Sequence, residues 1–268
     1  MVMRGGFSFE ELPLPLFKIY MIMIYLKNCL IVLMLTIFTV STAQQKTYVV
    51  EYAATSASGS TGKGNILKFA GSNSLYGRLN ELDKGNSDTV TKEQINNDMY
   101  FKSNKIALVY KDLDNNTMLS DEKIFLENYL VKDVNNNFKW TLSEQTKEIL
   151  GHPCKKATTQ FRGRTYEAYY ALDLKFPFGP WKFSGLPGLI LSVKSEDNFI
   201  KYEAINIQQI EGSKIVNPYK DVSKAISFQE FKDLYIKKYK ETTTETKLPD
   251  GRTVKSEMPK GGKEIYVD

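Results

Sequence analysis

The stretch from Phe176 to Leu191 reads FPFGPWKFSGLPGLIL, and no other segment of the chain restricts its fold so strongly. Gly179-Pro180 and Leu186-Pro187 force extended or polyproline-like backbone on the residue before each proline, while Gly185 and Gly188 bracket the second proline and permit a sharp turn. The segment is therefore a rigid loop that feeds a strand beginning near Leu189. Phe176, Phe178, Trp181 and Phe183 carry more apolar surface than a solvent-exposed connection displays, so the loop is expected to lie against a sheet or to line a pocket. On that second possibility Phe178, Trp181, Phe183 and Leu186 are candidate ligand-binding residues.

The flanking sequence supplies the sheet. Lys46 to Tyr52 is a β-branched and aromatic run, and ATSASGSTGKGN, from Ala54 to Asn65, reads as a flexible loop. Between Gly85 and Gly151 no Gly or Pro occurs, but Asn96-Asn97-Asp98, the run Asp112 to Asn116 and the run Asp133 to Asn137 interrupt it with residues that close turns through their own side chains. The intervening segments predict an antiparallel meander, with another strand starting at Lys139. Arg162-Gly163-Arg164 lies between two further strand-like runs, with Gly163 where a hairpin needs positive φ. Leu189 to Val193 and the alternating Tyr202 to Ile210 continue the sheet. From Ser227, SFQEFKDLYIKKYKE predicts a helix, capped by Ser227 and Glu230, with an apolar stripe of Phe228, Phe231, Leu234, Tyr235 and Tyr239. Together these elements predict an α+β, β-dominated domain: a curved, half-barrel-like antiparallel sheet with a few covering helices.

The hexapeptide Gly185-Leu186-Pro187-Gly188-Leu189-Ile190, preceded by Gly179-Pro180-Trp181-Lys182-Phe183, resembles the signature of the GLPGLI family, exported proteins of the Bacteroidetes. The likeness extends to Trp140, Thr146-Lys147, the stretch GHPCKK from Gly151 with Ala157, and Arg162-Gly163-Arg164, and spans roughly residues 46 to 212. What it implies is an exported envelope protein of unassigned molecular activity, with no catalytic set to carry over.

From Leu26 the sequence LKNCLIVLMLTIFTVSTAQQ has a lone Lys27, an apolar run and then Ser41, Thr42 and Ala43, the pattern of a signal peptide cleaved after Ala43. The expected organisation is a signal peptide over residues 1–43, with a better start at Met21 or Met23, a single domain over 44–241 and a loosely ordered tail over 242–268. The protein is then periplasmic or envelope-located and meets a membrane only through the transient signal peptide. Intact mass of exported protein should show a chain beginning at Gln44; a species retaining Cys29 contradicts this.

Composition narrows the chemistry. A net charge of +5 over 268 residues is too small and too dispersed for a nucleic-acid footprint. The single histidine, His152, stands two residues from Cys154, and the pair reads as a turn residue and a core thiol rather than a nucleophile and base. Zinc needs three or four ligands that these two residues do not make up, and no cofactor is expected. Asp112 to Thr117 opens like a calcium loop but has Thr117 where glycine is needed and Lys123 where the bidentate glutamate belongs. Gly59, Gly62-Lys63 and Gly64 lack phosphate-loop spacing, and Asp121-Glu122 is a surface acid pair with nothing to place it in a cleft. Asp88-Thr89-Val90 has the form of an O-glycosylation site of exported proteins in this bacterial group, and also occurs by chance. Arg162 and Arg164, flanking Gly163, are candidates to hold a ligand carboxylate or phosphate, with a solubilised turn as the alternative.

These features predict a non-enzymatic envelope protein that binds an apolar or peptide-like ligand between sheet and loop. A structural or accessory subunit of an outer-membrane assembly is the alternative, and a hydrolytic enzyme is disfavoured. A deep apolar cavity distinguishes the first, a filled core with an exposed apolar patch the second, and convergent acids in a cleft the third.

Overall fold

The computed structural model describes residues 14–38, 46–78, 90–95, 98–103, 107–135, 137–211 and 214–267. The cleavage motif at Ser41 to Ala43, the Asn96-Asn97 turn and Asp88-Thr89 lie outside them. The chain divides into two compact units, Met1–Gln44 and Gln45–Asp268. In the first, helix α1 spans Leu14–Phe38. It begins upstream of Met23, with Pro15 in its first turn, where the missing N–H has no partner to lose. Among the described residues no helix is long and apolar enough to cross a membrane.

The second unit is β-dominated. Its strands are β1 (Lys46–Ser56), β2 (Thr61–Ala70), β3 (Asn73–Arg78), β4 (Val90–Ile95), β5 (Asp98–Ser103), β6 (Val109–Asp112), β7 (Thr117–Ile124), β8 (Glu127–Asp133), β9 (Thr141–Ile149), β10 (His152–Phe161), β11 (Arg164–Ala171), β12 (Leu189–Ser195), β13 (Ile200–Glu211) and β14 (Ile226–Ser227). Helix α2 (Phe228–Thr242) follows, then the hairpin β15 (Thr244–Lys247) and β16 (Thr253–Ser256). Twelve strands form one open sheet in the order β14-β8-β7-β6-β3-β2-β1-β13-β12-β11-β10-β9, and β4-β5 and β15-β16 pair separately. All pairings in the large sheet are antiparallel except β14 with β8. Two meanders are thus joined through β1 and β13, where Lys46 lies opposite Glu211 and Ser56 opposite Ile200.

Local sequence accounts for much of this. Both central residues of the β10–β11 turn, Arg162 and Gly163, have positive φ (47° and 80°), the geometry of a two-residue hairpin turn. In β11 Tyr166, Ala168 and Tyr170 alternate inward. The expected flexible loop from Ala54 to Asn65 is instead largely strand. β1 continues to Ser56 and β2 starts at Thr61, because small side chains fit the pleat and Thr55 Oγ1 meets Thr61 Oγ1 at 3.0 Å.

Helix α2 carries the expected capping box: the Glu230 amide donates to Ser227 Oγ (3.2 Å) and the Ser227 amide to Glu230 Oε2 (2.7 Å). Its buried line is Phe231, Tyr235 and Tyr239, whereas Leu234, expected in the stripe, falls off that i, i+4 line and is 39% exposed. The expected loose tail also differs. β15 and β16 are exposed throughout, but beyond them Glu264 and Tyr266 are buried against the body of the unit, held by charge pairs and aromatic packing.

Candidate functional site

The Pro/Gly/aromatic loop is core. Phe178, Phe183 and Leu186 are buried, and Trp181 is 6% exposed. Phe183 meets the rings of Phe138, Trp140, Tyr166 and Trp181 at centroid separations of 4.9–6.4 Å. The loop folds back through a bridge between Phe178 and Ser184, and the Phe183 amide donates to Pro180 O (3.1 Å) across a turn in which Trp181 has φ 50°. Its carbonyls are served from elsewhere in the fold: Trp140 Nε1 donates to Ser184 O (2.9 Å), and Lys111 Nζ, fully buried on β6, donates to Phe183 O (2.5 Å) and Gly179 O (3.4 Å). Burial alone pulls the Lys111 ammonium well below the usual lysine range.

Gly185 adopts φ 89°. At Gly188 the constraint is space, because a Cβ there would collide with the Ala171 carbonyl of β11. Gly188→Val therefore should separate the start of β12 from β11, costing about 3 kcal/mol or more, which a fall in the urea midpoint at unchanged m-value will show.

Arg162 and Arg164 do hold carboxylates, as their fork geometry suits them to, but those of their own chain. Arg162 Nη1 donates to Glu264 Oε1 (2.6 Å), its Nη2 pairs with Asp133, and its guanidinium lies over the Phe228 ring. Arg164 pairs with Asp197 and donates from Nη2 to Gly262 O (2.9 Å). Lys182, at the centre of the aromatic loop, completes the cluster: its Nζ lies 2.9 Å from Glu264 Oε2 and 2.6 Å from Glu122 Oε1. Burial depresses the Lys182 ammonium, but Glu122 and Glu264 outweigh it and raise the group above its ordinary range. Burial likewise pushes the Glu264 carboxyl up, while Lys182 and Arg162 hold it below 4.5 on balance. Tyr266 OH adds a hydrogen bond to Glu264 Oε2 (2.8 Å).

Arg162 was the member of this cluster that the sequence marked, as a candidate to hold a carboxylate; Lys182, a lysine between Trp181 and Phe183 in an apolar segment, was not singled out. Glu122, expected in a surface acid pair, is instead largely buried against Lys182, and Asp133 and Glu264 carried no mark.

The Asp112–Thr117 motif is the turn it was expected to be, whereas Asp121 lies on β7 and His152 opens β10. The Asn115 amide donates to Asp112 Oδ1 (3.1 Å) and Asn116 has φ 45°. Asp121 accepts from the Leu108 amide (3.2 Å) and from Tyr219 OH (3.0 Å). His152 Nδ1 lies 2.6 Å from Asp173 Oδ2, and Cys154 Sγ donates to His152 O. Burial, with a smaller contribution from Asp173, pushes the Cys154 thiol up to about 11, which opposes thiolate chemistry. Iodoacetamide at pH 8 should therefore label Cys154 at least about tenfold more slowly in the native protein than in urea, as read by peptide mass mapping. Among the described residues no group of three or more His, Cys, Asp or Glu is placed to hold a metal ion.

The open surface lies elsewhere. The β7–β8 turn consists of Phe125 and Leu126, 52% and 64% exposed, with Phe125 at φ 52°. A groove of about 490 Å³ runs from this tip to α2, lined by Tyr129, Leu234, Lys237 and Lys238 among others.

A family model described as "N-glycanase peptide, N-terminal domain" matches residues 84–233, more than half of the chain. The protein belongs to this family. Among solved structures it is similar to one titled "Structure of PNGF-II in P21 space group", with a TM-score of 0.50 and 17% identity over 75% of this chain and 34% of that one. A second, "Structure of PNGF-II in C2 space group", gives 0.47 and 19% over the same shares. The likeness shows a shared fold, and the chain spans about a third of the length of these structures. No curated protein matches. The N-glycanase N-terminal domain match includes the aromatic loop, Arg162, Arg164, Lys182, Glu122 and Asp133, and stops before Glu264 and Tyr266.

Proposed function

We propose that this protein is an exported, non-catalytic accessory module of a glycoprotein-processing system in the cell envelope, with kinship to the GLPGLI proteins. The observation that carries this is a filled core beside an exposed apolar tip: Phe178, Phe183 and Leu186 fill the space a ligand would need between sheet and loop, while Phe125 and Leu126 face solvent. Large apolar side chains seldom occupy a two-residue turn, and a phenylalanine at positive φ is strained there. Such an arrangement suits a surface that another protein covers.

Several features support the accessory reading. The acids of the buried cluster are neutralised by Arg162 and Lys182, and Glu264 is held ionised, not raised toward a general acid. The family name refers to the N-terminal domain of an N-glycanase, and the similar PNGF-II structures are about three times as long as the matched part. The sheet curls so that Arg162, at the β10–β11 turn, reaches Asp133 at the end of β8, near the opposite end of the strand order. That reach supports reading the open sheet as curved and half-barrel-like, with the loop on its inner side.

Two measurements test the proposal. Incubation with a denatured N-glycoprotein, followed by mass analysis of the supernatant, should release no glycan. A photoreactive residue at position 125 in the native host should yield an adduct of one discrete mass, with none from the exposed position 254. Glycan release, or absence of the 125 adduct, overturns it.

A further inference from the structure

We infer that the body of this protein contains a peptide-recognition cleft, occupied in cis by its own residues 257–267, which reads a carboxylate two positions before a tyrosine with glycines just upstream. Beyond the exposed β15–β16 hairpin, the segment Glu257-Met258-Pro259-Lys260-Gly261-Gly262-Lys263-Glu264-Ile265-Tyr266 returns to the body. There the body grips its main chain. Tyr235 OH donates to Pro259 O (2.8 Å), Arg164 Nη2 to Gly262 O (2.9 Å) and Tyr166 OH to Lys263 O (2.5 Å), while the Ile265 amide donates to Arg162 O (2.9 Å). The gripped segment is a turn rather than an extended strand: Gly261 bridges Ile265 and the Tyr266 amide donates to Lys260 O (2.9 Å), so the body receives a compact hairpin whose outward carbonyls it takes with side-chain donors.

Specificity comes from three side chains of the segment. Glu264 is 1% exposed and takes Arg162, Lys182 and Tyr266 OH at 2.6–3.0 Å. Ile265 sits against Gly163, where a Cβ would lie 2.7 Å from the Ile265 Cβ. Tyr266 packs on Tyr235 and Phe231 at centroid separations of 4.6 and 5.6 Å. A purely structural tail gains little from a buried carboxylate, because the desolvation of an ion pair offsets most of its attraction, whereas such a pair specifies partner and register well. Most of the receptor side, Glu122, Asp133, Arg162, Arg164, Tyr166, Lys182, Phe228 and Phe231, lies within the matched family stretch, while Tyr235, on α2, and the occupying segment lie beyond its end. The gripping groups all belong to the body, so a segment of the same chemistry on another protein can take the occupant's place.

A protease site placed at Asp250-Gly251, in the exposed β15–β16 turn of the full chain, allows the test. After nicking, the C-terminal fragment should stay associated on gel filtration and exchange with a fluorescent synthetic peptide of residues 257–268. A peptide carrying Glu264→Gln should bind at least tenfold more weakly, and one carrying Tyr266→Ala likewise. Loss of the body's sheet signal in circular dichroism as the fragment leaves would show that the segment is core, and overturns the inference. So does a failure to exchange, or equal binding of the wild-type and Glu264→Gln peptides.

Discussion

Trp181→Ala should lower the stability of the β-rich unit by about 3–5 kcal/mol, the usual loss for a buried aromatic cut back to a methyl group. Trp181 is 6% exposed, packs edge-on against Phe161 and Phe183, and has the Lys182 and Lys263 ammonium groups within 5.3 Å of its ring. For a unit of this size the thermal midpoint should fall by roughly 6–20 °C. A side chain that merely lined a ligand site would give another outcome, a midpoint shift of a few degrees with loss of capture of a fluorescent fatty acyl or hydrophobic peptide probe. Melting the variant in parallel with probe binding separates the two.

Lys182→Met should cost a similar amount, about 3–5 kcal/mol at neutral pH, because it strips Glu264 of one of its two cations and Glu122 of its partner while burial remains. The pH dependence is the sharper signature. In the wild type Glu264 is held below its unfolded value of 4.5, so its contribution is present above that pH and is lost as pH falls through the folded value. In the variant burial is opposed only by Arg162 and the Tyr266 hydroxyl, the carboxyl rises, and the folded state binds protons more readily than the unfolded one. Acidification from pH 7 to 5 should then stabilise Lys182→Met relative to the wild type. Urea midpoints measured across that range decide it; parallel profiles for the two proteins would mean that Lys182 does not hold Glu264 ionised.

What the sequence revealed, and what it concealed, follows from the range of each interaction. The Arg162-Gly163 hairpin and the Ser227–Glu230 cap are set by residues one to three apart, and both were legible. The aromatic loop was legible as buried because its composition leaves no other place for it. The Glu264–Lys182 pair joins residues 82 apart, and the buried Lys111 reaches a carbonyl 72 residues away, so neither has a local pattern to betray it. The tail misled for the same reason: its prolines and glycines signal a loose chain, while the contacts that fix Glu264 and Tyr266 come from β7, β10–β11, the loop and α2.

The position of β1 has a kinetic consequence. It is the first strand of the β-rich unit in sequence, yet it lies near the middle of the large sheet, between β2 and β13. On a chain emerging from its N-terminus, β1 can pair early with β2, but its other edge stays open until residues 200–211 arrive, and only then do the two meanders become one structure. Closing so long a loop is slow and comes late. The two halves of the sheet thus stay apart through most of synthesis and lock together only once nearly all of the strands have been made.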